Sequence, residues 1–556
     1  MIARMLPPDL VLTNGRVRTP SGWQEALAIR DGVVVALGDT GDIAALQAKG
    51  TRCVDLEGCT VLPGLHDVHV HPLFAGITER RCRIPQGSSL RETMERVRAD
   101  AARLPEGEWI VGGQWDAPAL REAPSRGALD AVAPKHPVLL DDTSGHSSWA
   151  NSLALALAGI TRRTPDPQGG IIERDALGEP TGIVRESAIE LIRRCIAKPS
   201  PQEIRAALEW SLEAMLSFGI TSFTEAAVGF VAGLERELEA YAALAEQGVL
   251  KQRATLCLTW APGSEEAEAA IAARNLYARG RISPDAVKIF LDGVPTDSHT
   301  AAMCQPYAGS VAGRHDEAAR MGMLLVQQEV LNEAVTRFDR MGLTVKFHAA
   351  GDAAVRAALN AIESARIANG FSGLMHNAGH CTFVTQEDIG RARRIGATFE
   401  VSPYLWGPSP INDSIAAAVG AERIARVWPV REMIDAGALV VPGSDWAVVP
   451  SANPWIGIET LVTREMPGGS EKSFGKAEAI TLEEALDLFT VNAAQQECMA
   501  HKVGRIEVGM LADILVLEDN PYEVPIRRVH DTKVRMTFIE GEKVFDAAMA
   551  ASRSMR

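Results

Sequence analysis

The chain has 556 residues, 46% of them hydrophobic and 23% charged, an ordinary globular composition with length for a sizeable core and more than one domain. A formal net charge of −15 argues against nucleic acid or an anionic membrane surface as a main partner. The eight cysteines are scattered without a Cys-x-x-Cys pair, and no signal-like or membrane-length apolar run occurs, so a soluble, cytoplasmic protein with reduced thiols is expected.

Taken in order, residues 9–60 read as β-structure. Asn14-Gly15 and Asp31-Gly32 each separate two short strand patterns, and both pairs are hairpin signals. The far end repeats this texture, with Ala512–Leu517, Lys533–Ile539 and Lys543–Phe545 as short strands and a turn at Glu540-Gly541. One small β-sandwich assembled from residues 1–60 and 496–556 accounts for both ends; two unrelated β-extensions are the alternative.

Between them the chain alternates. An amphipathic helix at Glu203–Phe218 closes at Gly219. Apolar strand patterns then recur at Thr221–Ala226, Ala254–Trp260, Val287–Asp292, Thr344–Gly351, Leu374–His380, Ala397–Pro403 and Leu439–Asp445. With Val61–His71 they make eight, which predicts an α/β fold containing a (β/α)8 TIM-like barrel over 61–73 and 201–495. Residues 74–200 are too long for an ordinary connection after barrel strand 1 and form an inserted subdomain or lid.

Val61–Pro72, VLPGLHDVHVHP, organises the rest. Alternate residues of a strand share a face, so His69 and His71 project together, roughly 6–7 Å apart at the backbone. Alone, such a pair is more often two hydrogen-bonded polar side chains than a metal site. Barrel active sites, however, lie at the C-terminal strand ends. There the chain also places Lys288 beside Asp292 on strand four, His348 on strand five, His380 on strand six and Asp445 on strand eight. Each of these is a metal-ligand type or, for Lys288, can become one.

PGLHDVHVH, VKIFLDG, HAAGD, the histidine of HNAGH and the late GSD together resemble the amidohydrolase superfamily, and more closely its YtcJ-like branch, which includes N-substituted formamide deformylases. The resemblance spans nearly the whole chain. It implies that His69, His71 and Asp445 hold one divalent metal, most often zinc. It also implies that His348 and His380 hold a second, and that Lys288 bridges the two as a carbamate formed with carbon dioxide. A free Lys288 amine in a one-metal site is the alternative. Asp445 would then take a proton from the attacking water and pass it to the leaving amine; a turn or helix-cap role is its ordinary reading.

Trp115, Asp116 and His146 of the insertion, with Glu225, Asp292, Phe290, Trp406 and Trp446 near strand ends, are the expected substrate contacts, although an aromatic is individually more often core. His376 reads as structural, His66 as a core histidine or one supporting a ligand from behind, and Asp67 as a hydrogen-bond partner of a ligand imidazole or a turn residue. Two departures from the family stand out: Gly379 occupies a position more usually acidic, and FEVSPYLWG lacks a histidine often seen after that proline. The resulting expectation is a metal-dependent hydrolase of an amide, formamide or cyclic amide C–N bond, acting on a small molecule. A homodimer is a reasonable expectation for such a barrel. The rival readings are a one-metal deaminase of the same superfamily and a non-catalytic scaffold.

Overall fold

The computed structural model describes residues 6–85, 87–115, 117–142, 147–167, 170–296, 298–308 and 319–554. The chain forms two compact units, one of Met1–Pro72 with Leu208–Arg556 and the other Leu73–Ala207.

In the first unit, eight parallel strands run Leu65–Val70, Ile220–Val228, Arg253–Thr259, Ile282–Phe290, Thr344–Ala349, Asn377–His380, Thr398–Val401 and Leu439–Pro442, each paired with the next. The fourth begins earlier than its apolar run suggests and carries Pro284. That residue has no N–H to give the ladder and sits where the register with strand three shifts, between Ser283 and Ala286.

The barrel closes just past the end of strand eight. Asp445 N–H donates to His69 C=O at 2.7 Å and His71 N–H to Trp446 C=O at 2.7 Å. Asp67, fully buried, adds a side-chain tie by accepting from Ser444 N–H at 2.9 Å and His69 N–H at 3.2 Å. Burial pushes the Asp67 carboxyl up to about 7. Gly443 permits the approach, because a Cβ there would lie 2.2 Å from His69 Cβ. Asp67 therefore holds the backbone of the histidine strand rather than an imidazole, which corrects the sequence expectation.

Both chain ends build the sandwich. One sheet pairs Val33–Gly38, Ala26–Arg30, Leu10–Thr13 and Arg52–Asp55; the other runs Glu542–Asp546, Val534–Ile539, Ile514–Leu517, Thr60–Pro63, Arg16–Thr19 and Gly22–Gln24. Leu12, Leu27, Ile29, Val61, Ile514, Val516 and Phe538 share the core between them. Asp31-Gly32 makes its hairpin, with φ of 50° and 76° as a primed turn needs. Asn14-Gly15 does not. Its flanking strands enter different sheets, so the left-handed Asn14 (φ 56°) turns a corner of the sandwich. Local turn chemistry is the same in both places, and only the side chains each strand buries distinguish them.

The unit Leu73–Ala207 has its own six-stranded mixed sheet, ordered Gly170–Arg174, Pro180–Glu186, Ser147–Ala150, Val138–Asp142, Ile110–Trp115 and Cys82–Arg83. Adjacent residues pack on opposite faces. Val138, Leu140, Trp149 and Ile183 enter one apolar cluster, and Leu139, Ala150 and Val184 the other.

Candidate metal centre

His69 and His71 point into the barrel from strand one. Asp445 follows strand eight in a left-handed conformation, φ 61°. Its Oδ1 lies 3.4 Å from His71 Nε2 and 3.7 Å from His69 Nε2, and one donor atom from each of the three residues falls within 4.8 Å of the others. The His380 ring centroid is 4.8 Å from that of His69 and 4.5 Å from that of His348. His380 and Cys381 both have positive φ, 67° and 43°, where the chain leaves strand six. Lys288 Nζ sits fully buried 3.5 Å from His69 Nε2, with the Phe290 ring 5.1 Å away.

Three buried carboxylates hold these imidazoles by the opposite nitrogen. Glu400 Oε2 meets His69 Nδ1 at 2.6 Å, Glu225 Oε1 meets His71 Nδ1 at 3.2 Å, and Asp292 Oδ1 meets His348 Nδ1 at 3.0 Å. An ionised carboxylate only accepts, so each Nδ1 carries the proton and each Nε2 lone pair is left for a metal. Glu225 is itself fixed by Tyr241 O–H at 2.7 Å, and Asp292 by the N–H groups of Ala302, Ala350 and Gly351. Both carboxylates, expected at the substrate, are thus engaged behind histidines. Glu400 has the Lys346 ammonium 2.8 Å from the same Oε2.

Burial and then the charges of Lys288 and Lys346 keep His69 well below its ordinary value, and burial with the neighbouring His348 does so for His380; both are neutral ligand forms. For His71 burial acts downward but is outweighed by Asp445 and Glu225, which raise it to about 9. Burial, then the charge of Lys346, lowers Lys288 to about 8. The Nε2 atoms of His69 and His71 converge with an Asp445 oxygen, a donor set that fits a divalent cation, which would displace the proton that Asp445 and Glu225 favour on His71.

Of the remaining expected residues, Phe290 and Trp446 lie against the cluster, and the others that the structure describes do not. Trp115 is buried in the core of Leu73–Ala207, its indole N–H donating to Leu140 C=O at 2.9 Å, and Asp116 and His146 lie outside the described residues. Trp406 is fully buried between Trp428, at 5.2 Å, and the Arg464 guanidinium, at 4.3 Å. Trp446 packs on Trp210 at 5.5 Å, beside the closing loop. Phe290 stacks on His348 at 5.8 Å, and the exposed Phe230 lies 6.5 Å from the His71 ring. His376 binds Val345 N–H and Asp339 below the site, and His66 binds Glu497. Glu400 and Lys346 were missed by sequence reasoning. A charged residue at alternate positions in two short apolar strands was the available signal.

The Amidohydrolase family model matches residues 52–545. The Protein LONG AFTER FAR-RED 3 of Arabidopsis thaliana is 28% identical over 97% of this chain and 91% of its own length. The N-substituted formamide deformylase of Arthrobacter pascens is 27% identical over 96% and 97%. YtcJ of Bacillus subtilis is also 27% identical, over 94% and 96%. Among solved structures, an uncharacterized metal-dependent hydrolase from Pyrococcus furiosus superposes with a TM-score of 0.72 at 25% identity, covering 92% of this chain and 100% of that one. One from Pyrococcus horikoshii reaches 0.74 at 24% identity, covering 93% and 99%, and shares the fold. A barrel with these histidines and Asp445 at its strand ends, matched across almost its whole length, belongs to the amidohydrolase family.

Proposed function

We propose that this chain is a metal-dependent hydrolase of a carbon–nitrogen bond in an amide, formamide or cyclic amide. The observation that carries it is the convergence of His69, His71 and Asp445 beside a buried Lys288, with His348 and His380 on the neighbouring strands. His69, His71 and Asp445 would hold one divalent ion, His348 and His380 a second, with zinc as the expected metal and carboxylated Lys288 supplying anionic oxygens to both. When bound, such ions polarise a carbonyl and make water a competent nucleophile near neutral pH.

The chain's residues do the rest. Glu400, Glu225 and Asp292 keep the imidazole lone pairs aimed inward. Asp445 Oδ1 would accept a proton from water and return it to the departing nitrogen. Among the described residues Lys288 forms no ion pair, unlike Lys346, and its lowered basicity favours the free amine that carbon dioxide requires. The likeness to an N-substituted formamide deformylase supports an acyclic amide or formamide as the first substrate class to try.

The test is turnover of a panel by zinc-loaded protein, with products followed by liquid chromatography–mass spectrometry. The panel holds N-substituted formamides, longer amides, cyclic amides and aminated heterocycles. Release of an amine with its carboxylate from an amide supports the reading. Ammonia release from an aminated ring alone would establish a deaminase instead.

A further inference from the structure

Glu400 lies on strand seven, 331 residues from the histidine it touches, and is fully buried. It is doubly engaged through one oxygen, by His69 Nδ1 at 2.6 Å and by Lys346 Nζ at 2.8 Å. Lys346 is nearly as buried and comes from strand five, paired in register with Lys288. A lone ammonium and a lone carboxylate in this interior would each be costly, whereas together they hold one another in the ionised form. Space has been left for them as well. A Cβ on Gly379 would lie 2.8 Å from Glu400 Oε2, so the glycine between them keeps strand six clear of the carboxylate.

We propose that Glu400, held by Lys346, is a positioning residue of the metal centre: it fixes His69 in the tautomer whose bare Nε2 faces Asp445 and Lys288. This rests on the metal-centre reading above. Glu225 and Asp292 are locked by a phenol and by backbone N–H groups, whereas Glu400 alone of the three is locked by a cation. Its negative charge faces the imidazole that sits between Asp445 and Lys288, where a carboxylate behind the ring raises ligand basicity.

The test compares the full-length parent with Glu400→Gln and with the double variant Glu400→Gln/Lys346→Met. The double variant removes both charges at nearly constant volume and leaves no unpaired ion. Zinc affinity is measured by competition with a chromogenic chelator, and folding of the metal-free proteins by circular dichroism and thermal melting. Zinc affinity about 10- to 100-fold weaker in both variants, with the double variant folded as the parent, is expected. A folded double variant that holds zinc within threefold of the parent would overturn the positioning role while leaving the metal centre intact. A parent that itself holds no zinc would overturn both.

Discussion

Gly443→Ala tests how barrel closure and ligand placement depend on one another. The added methyl would lie 2.2 Å from His69 Cβ, 2.8 Å from its N and 2.9 Å from its Cα, all atoms that cannot rotate away. Carbon atoms at rest stand about 3.5–4.0 Å apart, so strands one and eight must separate by roughly 1.5 Å. That movement breaks or stretches the Asp445–His69 and His71–Trp446 backbone bonds, each 2.7 Å, and the Asp67–Ser444 bond of 2.9 Å. Overpacking of this kind costs about 1–3 kcal/mol. Three weakened hydrogen bonds add about 1 kcal/mol each, for a loss of roughly 4–6 kcal/mol. Asp445 moves with the strand, and an error of about 1 Å in such a site lowers turnover about 100-fold. Denaturant unfolding of the metal-free protein and zinc affinity of the folded fraction are the two assays. A variant matching the parent in both would refute the claim that a side chain at 443 has no room.

Glu225→Gln should weaken zinc binding about 10- to 100-fold by loosening His71; a chelator competition checks it. Arg253→Ala would leave buried Asp513 without its ion-pair partner between barrel and sandwich, and should cost about 3–5 kcal/mol in denaturant unfolding. For Asp339 burial acts upward, but the hydrogen bonds of His376, Ser372 and Asn369 win and hold its carboxyl below the ordinary range. Its folded-state affinity for protons is therefore lower than in the unfolded chain. The stability it contributes is present above the usual carboxylate range and lost as pH falls below it. Asp339→Asn should accordingly flatten the acid limb of a melting-temperature-against-pH curve.

The barrel was legible because its strands are short apolar runs, and five of the eight carry ligand-type residues at the ends that the fold brings together. His69 and His71 follow from the two-residue period of a strand. His380 is less direct, since it lies where a left-handed backbone ends its strand, and no periodicity announces that. The carboxylates behind the histidines were partly misread. Glu225 and Asp292 are visible as acids near strand ends, but whether an acid faces substrate or a neighbouring imidazole depends on side-chain direction across strands. Glu400 was hidden further, because the residue it orients is on strand one and the cation that holds it is on strand five. The Asn14-Gly15 corner failed for the same reason: pairing partners are chosen by the core that each strand buries, which no local turn signal encodes.

Metal stoichiometry per chain is the most direct test of a two-ion hydrolytic centre. Protein produced with zinc and bicarbonate would be analysed by elemental mass spectrometry alongside Lys288→Ala. Two ions in the parent falling to one or none in the variant is the expected result, since Lys288 stands 3.5 Å from His69 Nε2 on the strand next to that of His348. One ion in both proteins would contradict the bridge through Lys288, and no tightly held ion in either would contradict the metal centre itself.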